Sequence, residues 1–208
     1  RPTTAARAPT PLPRFSRPLD LSEPSTANNV MSGLSVGYAI AAVDQVKVAY
    51  EKLTPRVYTE RMPGPTGESN TLETHPRGVV ICLGPDEASA RRQAQLALAH
   101  DNAVLVIAYG GQRIAEELGK SGGAIGGVDR LLAPAVIEAG LAVDAIMHFG
   151  TDEALKPWRQ ALARRDGAII PLITSEADAG RLMLERHICI DTTASGGNAE
   201  LLASGGGM

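Results

Sequence analysis

The sequence predicts an α/β fold, a Rossmann-like parallel sheet with flanking helices, and two observations carry that prediction. Four apolar runs, at residues 78–84, 103–108, 143–149 and 168–173, are rich in β-branched residues and do not alternate with polar ones. Such unbroken character marks a strand covered on both faces, whereas a half-exposed strand alternates. Helix-forming stretches separate the runs, and strands alternating with helices build a parallel sheet onto the first of them. An extended Pro-rich N-terminal arm and a flap-like segment are expected beside it. The predicted organisation is an arm at 1–27, a helical connector at 28–62, a flap at 63–77, a Rossmann-like domain at 78–186, and a strand with a tail at 187–208.

Composition excludes several functions. The 208 residues carry a formal net charge of -3 and a pI near 5.8, which lacks the basic footprint of a nucleic-acid binder. No apolar run approaches the ~18 residues a membrane span needs. A chain of this size can bury roughly 70% of the surface its unfolded form exposes. Cys82 and Cys189 both fall in apolar, strand-like runs and are expected to be small buried hydrophobes rather than redox groups. No metal site is expected. The chain opens on Arg1 with no signal-peptide core, which reads as a piece of something longer.

In chain order, residues 1–26 hold six prolines among Arg, Thr and Ser, too little apolar surface to offset the entropy of ordering them. Val36, Ile40, Val43, Val46 and Tyr50 recur at three and four, one stripe of a helix that Thr54-Pro55 ends. The stretch Pro63-Gly64-Pro65-Thr66-Gly67-Glu68-Ser69-Asn70-Thr71 reads, taken alone, as a surface loop. Residues 86–100 set Ala90, Ala94, Leu96, Ala97 and Leu98 against Arg91, Arg92 and Gln93, an amphipathic helix whose small inner face suits close packing on a sheet. Residues 110–120 form a short helix, broken by the glycine cluster at 121–127. A dinucleotide fingerprint needs its glycines directly between a strand and a helix; these follow a helix and read as a flexible connection. Residues 131–139 form a helix closed by Gly140, Thr151 is placed to cap a helix running to Arg165, and Pro171 puts the last run at a sheet edge.

Ligands of open α/β sheets bind at the carboxyl ends of strands, so His148 and Thr151 are the best-placed polar residues. The plainer reading of His148 is a hydrogen-bonded structural histidine. No nucleophile, acid and base assemble into a catalytic set.

The last segment, with Leu184-Glu185-Arg186 and then Asp191-Thr192-Thr193-Ala194-Ser195-Gly196-Gly197-Asn198-Ala199, closely resembles the C-terminal motif of the long proline utilization A (PutA) enzymes. The stretch Gly64-Pro65-Thr66-Gly67-Glu68-Ser69-Asn70-Thr71 is similar to one that follows the catalytic aldehyde dehydrogenase part of those enzymes. Together with Val143-Asp144-Ala145-Ile146 and Arg165-Asp166-Gly167, the resemblance covers residues 63–204. It implies the C-terminal aldehyde-dehydrogenase-superfamily domain of a PutA protein, a cytoplasmic enzyme that in some members is peripheral at the bacterial inner membrane. The parent family oxidises proline with FAD, passes the intermediate through an internal tunnel, and oxidises glutamate semialdehyde to glutamate with NAD.

For this segment the resemblance implies a structural role. Leu83-Gly84-Pro85 stands where active members carry Leu-Lys-Pro, and Phe149-Gly150-Thr151 only partly matches the loop at the pyrophosphate. Gly84, Pro85, Gly150 and Thr151 are therefore candidates for a vestigial nucleotide site, with no cofactor expected on this segment. Glu117-Leu118-Gly119-Lys120-Ser121 lacks one glycine of the superfamily's Glu-Leu-Gly-Gly-Lys. Thr192, Thr193, Gly196, Gly197 and Asn198 are the expected contacts with the catalytic aldehyde dehydrogenase module of the same polypeptide. The alternatives are an NAD-binding or active L-glutamate γ-semialdehyde dehydrogenase module using His148 and Thr151, and a homo-oligomer in which residues 64–74 pair across subunits.

Overall fold

The structure, a computed structural model, describes residues 33–65 and 67–191. Helix α1 (Val36–Tyr50), capped by the Ser35 side chain, leads into an antiparallel hairpin of β1 (Tyr58–Met62) and β2 (Glu68–Pro76). Then follow β3 (Val79–Cys82), α2 (Glu87–Ala99), β4 (Ala103–Ile107), α3 (Gly111–Gly119), β5 (Ile125–Val128), α4 (Pro134–Glu138), β6 (Ala145–Met147), α5 (Asp152–Ala163) and β7 (Leu172–Ile173). A 3-10 turn, Glu176–Leu182, precedes β8 (Met183–Asp191).

The five apolar strands form a parallel sheet in the order β5-β4-β3-β6-β7. The chain builds outward from β3 to β5, returns to the far side of β3, and builds outward again to β7. Alternate residues of each strand feed two cores. Val79, Ile81, Leu105 and Ile146 pack with α1, α4 and Trp158 of α5 on one face; Val80, Cys82, Val104 and Met147 pack with Ala90, Ala94 and Ala97 of α2 and Ile114 of α3 on the other. The parallel sheet with flanking helices is thus as the apolar runs predict, because a strand covered twice has no solvent face to mark with polar residues.

Several local expectations are corrected. In α1 the buried residues are Ala39, Ala42, Val43 and Val46, while Val36 and Ile40 are 37% and 42% exposed. The helix turns its alanines to the sheet and comes so close that a Cβ on Gly126 would lie 2.9 Å from Val46 Cγ2. The glycine cluster is not a flexible connection, since its second half is the edge strand β5. There a Cβ on Gly127 would overlap the Gly111 carbonyl oxygen, so the start of α3 and β5 meet backbone to backbone. The last run forms a strand only at Leu172–Ile173, with Ile169 exposed before it. Gln93, grouped by sequence with the solvent face of α2, is fully buried. Cys82 is buried as expected, but Cys189 is exposed. The stretch at 63–71, read alone as a surface loop, is strand from Glu68 onward.

A second sheet, β1-β2-β8, is antiparallel and stands apart from the parallel one. The Arg77 guanidinium ties the two together by donating to the Arg181 and Met183 carbonyls at 2.7 and 3.1 Å. Asn102 does the same from beneath: its Nδ2 donates to the Leu182 carbonyl at 3.1 Å and its Oδ1 accepts from Gly78 N at 3.0 Å.

Candidate functional site

The strand order reverses between β3 and β6, and in an open α/β sheet that reversal opens the binding crevice at the carboxyl ends. Gly84 and Pro85 leave β3 there; His148, Gly150 and Thr151 leave β6 beside them. The two loops are joined by a bond from Phe149 N to the Gly84 carbonyl at 2.9 Å. Gly84 has φ +91°, and a Cβ on it would lie 2.8 Å from Asp86 N, so the turn accepts only glycine. Its polar groups are taken by Gln93, whose Oε1 accepts from Gly84 N at 3.0 Å and whose Nε2 donates to Gly84 O at 2.7 Å. Sequence reasoning missed Gln93, because a glutamine beside two arginines looks solvated.

Both helices that begin at this crevice already carry negative charge at their positive ends. Asp86 caps α2, its Oδ1 accepting from Ser89 N at 2.7 Å, and that bond holds its carboxyl below the usual range. Glu87 follows, ion-paired with Arg113 and with Arg91. Thr151 spends its hydroxyl oxygen on capping α5, accepting from Ala154 N at 3.4 Å, and Asp152 and Glu153 fill the first turn.

His148 lies under Gly150, whose Cβ would stand 2.6 Å from the ring, and is tilted against Trp158 at 5.9 Å between centroids. Its Nδ1 is buried with no hydrogen-bond partner, and burial pushes its pKa below the ordinary value. A histidine of lowered pKa binds fewer protons folded than unfolded, so stability falls as pH drops through about 6.5 towards the folded value. His148→Gln is expected to flatten the stability profile between about pH 7 and 5, measured by urea unfolding across that range; an unchanged slope would show that other groups set it.

Among curated proteins, the bifunctional protein PutA of Escherichia coli K12 is 33% identical to this chain over 153 residues, 71% of the chain. This chain is homologous to a segment of PutA. It spans only 11% of that relative's length, and the same share of the Klebsiella aerogenes PutA, to which it is 33% identical over 147 residues. A solved structure of PutA with proline bound in remote sites is 30% identical, covers 68% of this chain with 16% of its own, and superposes with a TM-score of 0.45. An NAD-dependent benzaldehyde dehydrogenase from Corynebacterium glutamicum gives 16% identity and a TM-score of 0.40. No family model matches the chain.

The described parts of the two stretches that resemble PutA motifs, Glu68–Thr71 and Leu184–Arg186 with Asp191, lie in the second sheet. Their strands, β2 and β8, pair along their whole lengths, with Glu68 opposite Asp191 and Asn70 opposite Cys189. All of β1 is exposed, and so is most of β8, including Leu184 and Ile190 at 46% and 54%. Among the described residues the outer edge of β8 has no strand beside it. Thr192, Thr193, Gly196, Gly197 and Asn198 lie outside the described residues. No group of three His, Cys, Asp or Glu side chains that could hold a metal is found among the described residues, nor a helix long and apolar enough to cross a membrane.

Proposed function

We propose that this chain is a noncatalytic structural domain of a PutA-type proline catabolic enzyme, whose tail from Thr192 to Asn198 docks on the catalytic aldehyde dehydrogenase module of the same polypeptide and covers the substrate-channelling tunnel. The observation that carries this reading is the exposed β1-β2-β8 sheet, whose outer edges on β1 and β8 have no strand beside them among the described residues and whose last strand leads directly into the tail. A three-stranded sheet with so little covered surface gains stability from a partner, and an open edge is where another backbone pairs. Gly196 and Gly197 permit close backbone approach, and Leu201 and Leu202 contribute about 1.5 to 3 kcal/mol each when fully covered. FAD and NAD then serve the parent's other modules, and the sheet's open edge also serves assembly of the parent.

The crevice chemistry supports the noncatalytic part. A dinucleotide pyrophosphate needs free amides and an unneutralised helix end, whereas Gly84 N is bonded to Gln93 and both helix ends carry carboxylates. The residues present do not suit NAD.

The test is the parent enzyme ended after Asp191, which leaves β8 whole. Proline oxidation and semialdehyde oxidation, assayed separately, are expected to stay intact, while coupled turnover shows a lag in NADH and leakage of the intermediate. Unchanged coupling would remove the tunnel-cover reading.

A second reading, an NAD-binding or active L-glutamate γ-semialdehyde dehydrogenase module, is favoured by one observation: Gly84, Pro85, Gly150 and Thr151 do converge on the switch point. Calorimetric titration of the chain with NAD is expected to show no saturable heat, and saturable binding would overturn the noncatalytic reading.

A further inference from the structure

Asn70 is the anomaly of the second sheet. It is 8% exposed in a sheet whose neighbouring strands lie open, and its Oδ1 is buried without a partner. Its Nδ2 donates to Glu68 Oε2 at 3.3 Å, and the same carboxylate oxygen lies 3.9 Å from Cys189 Sγ on the facing strand. From the other side the hairpin turn closes over it: a Cβ on Gly64 would overlap the Asn70 amide, so glycine at 64 makes the space that asparagine at 70 fills. The Glu68 carboxylate thus bridges β2 and the end of β8, and the Asn70 amide it holds faces the turn at Gly64, with Glu68 itself opposite Asp191 in the strand pair.

We infer that Asn70, held by Glu68, is a positioning residue that fixes the root of the C-terminal tail against the hairpin turn. This rests on the proposed docking of the tail, and it adds that the turn and the tail are presented as one unit. The amide occupies the turn's interior and the carboxylate spans the strand pair. Removing either therefore frees the last residues of β8 without touching the cores of the parallel sheet.

The backbone at the end of β8 reports the event locally, because it is paired with β2 as far as Asp191. In the full-length parent, amide hydrogen exchange of residues 188–191 is timed in Asn70→Ala and Glu68→Ala. Both are expected to exchange about fivefold faster, the loss of one hydrogen bond's worth of closure, with proline and semialdehyde half-reactions unchanged. Gly64→Ala is expected to act likewise alone, yet to add little in the Asn70→Ala background, where the methyl group fills the vacated space. Unchanged exchange, or strict additivity of the two substitutions, would overturn the clasp. Faster exchange with undiminished coupled turnover in the variants, where ending the chain after Asp191 does abolish coupling, would overturn its role in placing the tail. If that truncation leaves coupling intact, the tunnel-cover reading fails whatever the exchange shows.

Discussion

Gly127→Ala is expected to destabilise the domain by about 3 to 5 kcal/mol, a large share of the roughly 5 to 15 kcal/mol that holds an ordinary domain folded. The reason is the kind of atom the new methyl group meets. At Gly127 it overlaps the Gly111 carbonyl oxygen, and a methyl on Gly111 would in turn sit 2.7 Å from the Val128 carbonyl oxygen. Neither is a side chain that can rotate away. Relief requires β5 to leave the sheet edge or the first turn of α3 to lift, which uncovers Ile114 and Ile125 from the core between them. Gly37→Ala is the internal control. It lies in α1 with nothing within 4 Å of the added methyl, so it removes only the entropic penalty of a helical glycine and stabilises by about 0.5 to 1 kcal/mol. Urea unfolding of both variants checks the pair; a Gly127→Ala loss of less than about 1 kcal/mol would mean that the contact relaxes freely.

The same glycines show what the sequence could and could not say. The parallel sheet was legible because residues buried on both faces leave an unbroken apolar signature, and Thr151 was legible as a cap because capping is a local event. β5 was not legible. Two of its four residues are Gly126 and Gly127, chosen for the closeness of α1 and α3 rather than for strand propensity, so tertiary contact overrode the local signal. Val36 and Ile40 misled for a related reason: a stripe drawn from the largest residues assumes that size decides the buried face, and here alanines facing glycine did. At the crevice, His148 and Thr151 could be placed from the carboxyl end of their strand, whereas Gly84, Pro85 and Gly150 came from the resemblance to aldehyde dehydrogenases. Gln93 could not be placed, since its burial depends on a positive-φ turn nine residues earlier in the chain.

Gln93→Ala is expected to cost about 2 to 4 kcal/mol, from an unsatisfied buried amide at Gly84 N and the space the side chain leaves. The Gly84 carbonyl suffers less, because Phe149 N still donates to it. Gln93→Glu is the sharper test, since it preserves volume and changes only what the side chain can donate. As a carboxylate it can accept from Gly84 N, but it faces the Gly84 carbonyl with a second acceptor, in a place with no exposure to water. Burial and that repulsion raise its folded pKa above the unfolded value of about 4.3. The folded state then binds more protons than the unfolded one between the two values, so the variant gains stability relative to wild type as pH falls through its folded pKa, the reverse of the dependence assigned to His148. Unfolding midpoints at pH 8 and pH 5 read the difference directly. A variant equally stable relative to wild type at both would mean that Gln93 is not bonded through its amide nitrogen, and the tie between α2 and the crevice loop would then rest on packing alone.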